Sequence, residues 1–171
     1  MQKNKIDIYF PMAGLGARFG YKFKPFLKIG KNMFIEESVK PFLKWRNKIN
    51  CIYFIFLKEQ DMNYNVSASL KKIFKGTKFK NIILDKKTTG PVETISKAIT
   101  KNIKKLRPSI FCDCDHSIDV DKIFADDFSI NNDIYFPAWK IKKAEVKSWS
   151  IISIDKKNKI LDIAEKKIPK K

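Results

Sequence analysis

Apolar runs bounded by turn residues alternate with stretches of helical period along most of the chain, and that alternation predicts a sheet of mostly parallel strands flanked by helices. Ile6 to Phe10 is the first run and reads as a strand. Met33 to Trp45 sets Phe34, Ser38 and Phe42, and Ile35, Val39 and Leu43, at i,i+4 spacing, a helix that Pro41 shortens or kinks. Cys51 to Leu57 is unbroken in its apolar character and is the clearest strand; Val66 to Phe74 reads as a helix and Asn81 to Leu84 as a short strand. Gly90-Pro91 opens a helix with apolar positions Val92, Ile95, Ile99, Ile103 and Leu106. Its proline falls in the first turn, where a missing N–H has no intrahelical partner. Ser109 to Cys114 is the fourth strand and ends in Asp115-His116. The last third changes to Ile134–Ala138, Trp149–Ile154 and Ile160–Ala164, three strand-like runs, the last two joined through Asp155 to Lys159 as a hairpin. With no repeat and no linker, residues 1–171 are expected to form a single α/β domain: a mostly parallel central sheet flanked by helices, with a C-terminal β-hairpin.

Composition narrows the class. The 171 residues are 44% apolar and 13% aromatic, enough for one buried core. No stretch approaches the roughly 18 apolar residues of a membrane span, and the start lacks the apolar run of a secretory signal, so the expected setting is cytoplasmic. Three cysteines in a chain with ample core predict buried reduced thiols rather than disulfides. The formal charge of +18 comes almost wholly from lysine, with only Arg18, Arg46 and Arg107 as guanidinium groups. Lysines scattered through every element predict a solvated surface that attracts anions generally, rather than a dedicated nucleic-acid stripe.

Candidate chemistry begins directly after the first strand. Phe10-Pro11-Met12-Ala13-Gly14-Leu15-Gly16-Ala17-Arg18-Phe19-Gly20 stands where an α/β fold presents its ligand, and glycines there let backbone N–H groups close on phosphate oxygens. The spacing does not suit a dinucleotide fingerprint, because position 19 is Phe and the third glycine comes at 20. Arg18 lies two residues past Gly16, and Lys24-Pro25 follows shortly, so two cations stand beside the loop.

Here the chain resembles the sugar-phosphate nucleotidyltransferases, whose signature is Gly-x-Gly-x-Arg followed by Lys-Pro. The resemblance implies their Rossmann-like fold and assigns triphosphate binding to Ala13, Gly14, Leu15 and Gly16, with Arg18 and Lys24 as the catalytic cations. Thr88-Thr89-Gly90-Pro91-Val92-Glu93-Thr94 is similar to the loop that lines the nucleobase pocket, implying Gly90, Pro91, Glu93 and Thr94. Phe111-Cys112-Asp113-Cys114-Asp115-His116 is similar to the strand whose final aspartate binds Mg²⁺, implying Asp115 as the ligand and Asp113, read as lying on the same strand face, as its companion. Trp149–Ile154 and Ile160–Lys167 look like the hairpin ending in Glu-Lys-Pro, which implies Glu165 and Lys166 toward the acceptor, although Lys167 stands where the proline belongs. Family members continue beyond this point, so the chain looks C-terminally shortened.

Zinc at Cys112, Cys114 and His116 is disfavoured, since an extended strand would part the outer two by roughly 13 Å. His116 reads as a polar group at the mouth of the site, and Asp119, Asp121, Asp126 and Asp127 as caps of short turns. The implied reaction is transfer of a nucleoside monophosphate from a triphosphate to a sugar phosphate or similar acceptor, with release of pyrophosphate, in polysaccharide or capsule precursor synthesis. The alternatives are a shortened nucleotide-binding relic without independent catalysis and, less favoured, a lysine-rich nucleic-acid binder.

Overall fold

The computed structural model describes residues 5–102, 107–125 and 137–170. The chain divides into two compact units, Met1–Ile130 and Asn131–Lys171.

The first unit is built on four parallel strands. They are β1 (Ile6–Pro11), β4 (Ile49–Leu57), β5 (Phe79–Leu84) and β6 (Ser109–Phe111), in spatial order β5-β4-β1-β6. Two short antiparallel strands, β2 (Lys28–Ile29) and β3 (Asn32–Met33), form a separate small hairpin. Helices α1 (Phe34–Val39), α2 (Lys58–Tyr64), α3 (Val66–Ile73), α4 (Pro91–Asn102) and α5 (Asp121–Ala125) connect and flank the strands. Pro41 acts as expected: the helix stops at Val39 and continues through Lys48 only as tighter 3-10 turns, with Trp45 outside helical geometry.

Period-two alternation in β1 and β4 divides the core. Ile6, Ile8, Phe10, Ile52, Phe54 and Phe56 pack with Ile35, Val39, Phe42, Val66, Leu70, Phe74 and Phe124, while Tyr9, Cys51, Tyr53 and Ile55 pack with Ala98 of α4. The helical spacing of Val66, Leu70 and Phe74 explains why α3 covers the first face. On the other face Tyr9 stacks on Tyr53 at 4.8 Å, and burial raises the Tyr9 phenol to about 12.

The chain runs from β1 outward to β4 and β5, then crosses back through α4 to place β6 on the far side of β1. Strand order therefore reverses between β1 and β6. In an open parallel sheet that reversal leaves a crevice at the carboxyl ends of the two diverging strands.

Several expectations change in detail. The α4 stripe is centred on Thr94 and Ala98, with Ile95 and Ile99 beside them, whereas Val92 is 80% exposed; Ile103 and Leu106 lie outside the described residues. Helix α2 was not predicted, because Lys58–Tyr64 carries almost no apolar period. The fourth strand ends at Phe111 instead of Cys114. Residues 134–136 of the expected strand at 134–138, together with Asp126 and Asp127, lie outside the described residues, and residues 137–138 are not strand. Asp119 does cap, accepting the Asp121 N–H at 2.9 Å.

In the second unit β7 (Ser150–Ile154) and β8 (Ile160–Glu165) form the expected antiparallel hairpin. Asp155 closes its turn by accepting the N–H groups of Lys157 and Lys159, both at 2.8 Å. Trp139 packs edge-on to Trp149 at 5.0 Å.

Phe54 is fully buried and touches the rings of Phe10, Phe74 and Phe79, so it ties β4 to β1, α3 and β5. Phe54→Ala should lower stability by about 3–5 kcal/mol, read as a shift in the urea unfolding midpoint. A shift below about 1 kcal/mol would contradict this packing.

Candidate active site

The segment after β1 and the segment after β6 meet at the strand-order reversal. Lys24 makes an ion pair with Asp115, whose carboxylate lies in the turn that follows β6. The Lys24 side chain is 31% exposed and that of Asp115 21%, so the pair is half-buried at the sheet edge. Lys24 is held there by its neighbours. Phe23 and Pro25 are buried on either side of it, Phe23 stacks on Tyr64 at 5.4 Å and meets Phe26 edge-on at 4.9 Å. The ammonium also lies 5.5 Å from the centre of the Phe19 ring.

Asp113 and Asp115 do not converge through a shared strand face. The strand has already ended, and it is the turn at Cys114-Asp115 that gathers Asp113, Asp115 and His116 so that one ligand atom from each lies within 4.8 Å of the others. His116 Nδ1 is 3.3 Å from an Asp113 oxygen and 3.6 Å from an Asp115 oxygen. The imidazole thus belongs to the carboxylate cluster. The broken strand also removes the extended spacing invoked against zinc, but the group that converges contains no thiol. Neither Cys112 nor Cys114 is among the residues whose ligand atoms converge, and burial, with a smaller contribution from the neighbouring carboxylates, pushes both thiols up to about 12. Two carboxylates fit Mg²⁺, which is commonly held by one or two such groups together with phosphate and water oxygens.

The glycine loop is shaped by backbone hydrogen bonds. Gly16 takes a left-handed φ of 65°, and its carbonyl accepts the N–H groups of Phe19 at 2.8 Å and Tyr21 at 3.0 Å. A Cβ at Gly16 would sit 2.1 Å from the Lys22 carbonyl oxygen. Gly14 is different: an added Cβ would meet nothing within 4 Å. Ala13 is buried against the α4 face of the sheet, so it offers the loop only its backbone, whereas Leu15 and Arg18 are exposed. One residue that sequence reasoning missed supports the loop from below. Gln60 in the first turn of α2 donates to the Gly14 carbonyl at 2.9 Å and accepts the Leu57 N–H at 2.9 Å. The glutamine at the third position of a helix was its available signal.

Gly90, Pro91, Glu93 and Thr94 follow β5, on the same sheet edge and two strands, roughly 10 Å, from β1. Their side chains build the loop itself. Thr94 is buried, donates its hydroxyl to the Gly90 carbonyl at 2.9 Å and accepts the Thr88 hydroxyl at 2.6 Å. Glu93 accepts the Thr89 N–H and hydroxyl at 2.6 and 2.7 Å and pairs with Lys97 at 2.6 Å. The Lys97 ammonium first, then the two Thr89 donors, hold the Glu93 carboxyl down at about 2.

In the second unit Glu165 accepts the Ser150 hydroxyl at the end of the hairpin and lies 3.4 Å from the Lys166 ammonium. Lys166 has a left-handed φ of 55° and donates its N–H to the Trp149 carbonyl at 3.0 Å.

With this geometry in place, several solved structures superpose on nearly the whole chain. A nucleoside-diphosphate-sugar pyrophosphorylase from Vibrio cholerae RC9 superposes with a TM-score of 0.62 at 17% identity, covering 94% of this chain and 67% of that one. A UDP-glucose pyrophosphorylase complexed with UDP-glucose gives 0.65 at 15% identity, with coverage of 95% and 69%. HddC from Yersinia pseudotuberculosis gives 0.63 at 16%, with coverage of 96% and 71%. No family model and no curated protein matches the chain. The fold is therefore that of the nucleotidyltransferases, and more particularly of the sugar-nucleotide pyrophosphorylases, over about two thirds of their length.

Two predictions follow from the loops. Gly16→Ala should cost at least about 1–2 kcal/mol in urea unfolding, since it strains φ and meets a backbone oxygen, whereas Gly14→Ala should stay within about 0.5 kcal/mol. Equal losses at the two positions would refute the distinction. Glu93 has a folded value below its ordinary 4.5, so its support of the 88–94 loop should be complete above that pH and vanish as pH falls through about 2. The Thr89 amide resonance should titrate with a midpoint near 2; a midpoint near 4.5 would mean that the Lys97 and Thr89 contacts do not form in solution.

Proposed function

We propose that this chain is a nucleotidyltransferase acting on a nucleoside triphosphate and a phosphorylated acceptor, a sugar phosphate being the class that suits its fold relatives. A phosphate oxygen of the acceptor attacks the α-phosphorus. A P–O bond forms there as the bond to the α,β-bridging oxygen breaks, and pyrophosphate leaves with the electron pair. Little covalent participation is asked of the protein, so positioning and charge carry the rate.

The observation that supports this reading is the Lys24–Asp115 pair beside the glycine loop, at the crevice between β1 and β6. Backbone groups of Ala13, Gly14, Leu15 and Gly16 would hold the triphosphate, Arg18 would add a flexible cation, and Lys24 would stand against the transferring phosphorus. Asp115 and Asp113, with His116 beside them, would hold Mg²⁺. That ion, when bound, supplies positive charge that offsets the charge on the phosphates. Gly90, Pro91, Glu93 and Thr94 are assigned to the nucleobase side, and Glu165 and Lys166 to the acceptor. A cytoplasmic role in capsule or other polysaccharide precursor synthesis fits a sugar-nucleotide product.

The chain spans about two thirds of the length of the structures it matches. A second reading is that the same residues hold a nucleotide without catalysing its transfer. Pyrophosphate release, followed across a panel of triphosphates and sugar phosphates, separates the two. The first reading expects turnover that Lys24→Ala lowers by about 10²–10³-fold, and equal activity in that variant would discard it. Calorimetric binding of a triphosphate with no pyrophosphate release under any acceptor would select the second.

A further inference from the structure

Gln60 lies outside every segment to which a role has been assigned, yet it is 7% exposed and both ends of its amide are engaged. Its oxygen caps the start of α2 through the Leu57 N–H, and its NH₂ group takes the Gly14 carbonyl. That second bond has a directional consequence. In a trans peptide the C=O and the following N–H point in opposite directions. A Gly14 oxygen turned inward onto Gln60 therefore turns the Leu15 N–H outward, on a residue that is 47% exposed. The space beside the Gly14 Cα is also open, since a Cβ placed there meets no atom within 4 Å, and Gly14 has no left-handed φ to account for its glycine. Gly16, two residues on, needs its glycine for internal reasons and Gly20 for its left-handed φ of 64°, so of the three glycines in the loop Gly14 is the one that neither φ nor packing requires.

We infer that Gln60 is a positioning residue for polyphosphate binding: it fixes the Gly14–Leu15 peptide so that the Leu15 N–H is presented to a phosphate oxygen. This rests on the nucleotide reading above and adds the residue that orients its loop. Glutamine suits the task because it accepts and donates at once. A carboxylate could cap α2 equally well but would repel the Gly14 oxygen and favour an inward N–H, turning the peptide over.

Gln60→Glu at mildly alkaline pH is thus the informative variant, with Gln60→Leu as the variant that loses both bonds. The probe is inorganic tripolyphosphate, which offers the phosphates without selecting a base. Gln60→Glu should keep a near-normal urea midpoint, slow hydrogen exchange at the Leu15 amide, and weaken tripolyphosphate binding by about tenfold or more in calorimetry. Gln60→Leu should also lower the urea midpoint, because the Leu57 N–H loses its acceptor. Firm wild-type binding that Gln60→Glu leaves unchanged, with unchanged Leu15 exchange, would overturn the role of Gln60 alone. A wild-type protein without affinity for tripolyphosphate would overturn the nucleotide reading itself, while slowed Leu15 exchange in Gln60→Glu would still support the orienting contact.

Discussion

Strand β1 is hydrogen-bonded on both sides, to β4 along one edge and to β6 along the other, and the chain reaches those partners by opposite routes. From this follows most of what the first unit can do. The helices reached on the outward path cover one face, and α4, on the return, covers the other. The connections leaving β1 and β6 must then part at the carboxyl edge, and the space between them is bordered by the glycine loop on one side and the Asp115 turn on the other. A cation fixed on the first connection meets a carboxylate on the second because the sheet puts their strand ends side by side.

The fold was legible because burial on both faces writes long apolar runs into β1 and β4, and because Gly, Pro and Asp mark where those runs stop. The Lys24 and Asp115 juxtaposition was legible through the resemblance of short motifs and through the rule that ligands gather at a reversal of strand order. What escaped notice was geometry that hydrophobic pattern does not encode. Helix α2 is held by Gln60 at its start and by Asn65 in a left-handed turn at its end, with little apolar face to betray it. The early end of β6 was hidden because Cys112 and Cys114 remain apolar enough to look like strand while serving a turn. The side chain of Val92 looked like core by spacing and faces solvent because the α4 face is centred one residue pair away.

Support of the expected site comes from groups without charge as much as from charged ones. Phe23 and Pro25 anchor the backbone that carries Lys24, Cys114 buries the turn that carries Asp115, and Thr88, Thr94 and Gly90 hold one another at the start of α4. Such packing spares a charged side chain the rotamer freedom it would otherwise lose on meeting a ligand.

The salt bridge between Lys24 and Asp115 has a further consequence for how anything enters the crevice. The cleft carries an internal counterion, since the Lys24 ammonium is already paired with Asp115 in a strongly basic chain. Under the proposed reading, a polyanion arriving with its own divalent cation would exchange partners here, the Lys24 ammonium turning to phosphate and the Asp115 carboxylate to the cation. Such a swap would conserve the number of close charge pairs, whereas a lone anion or a lone cation would have to break the Lys24–Asp115 contact before gaining its own.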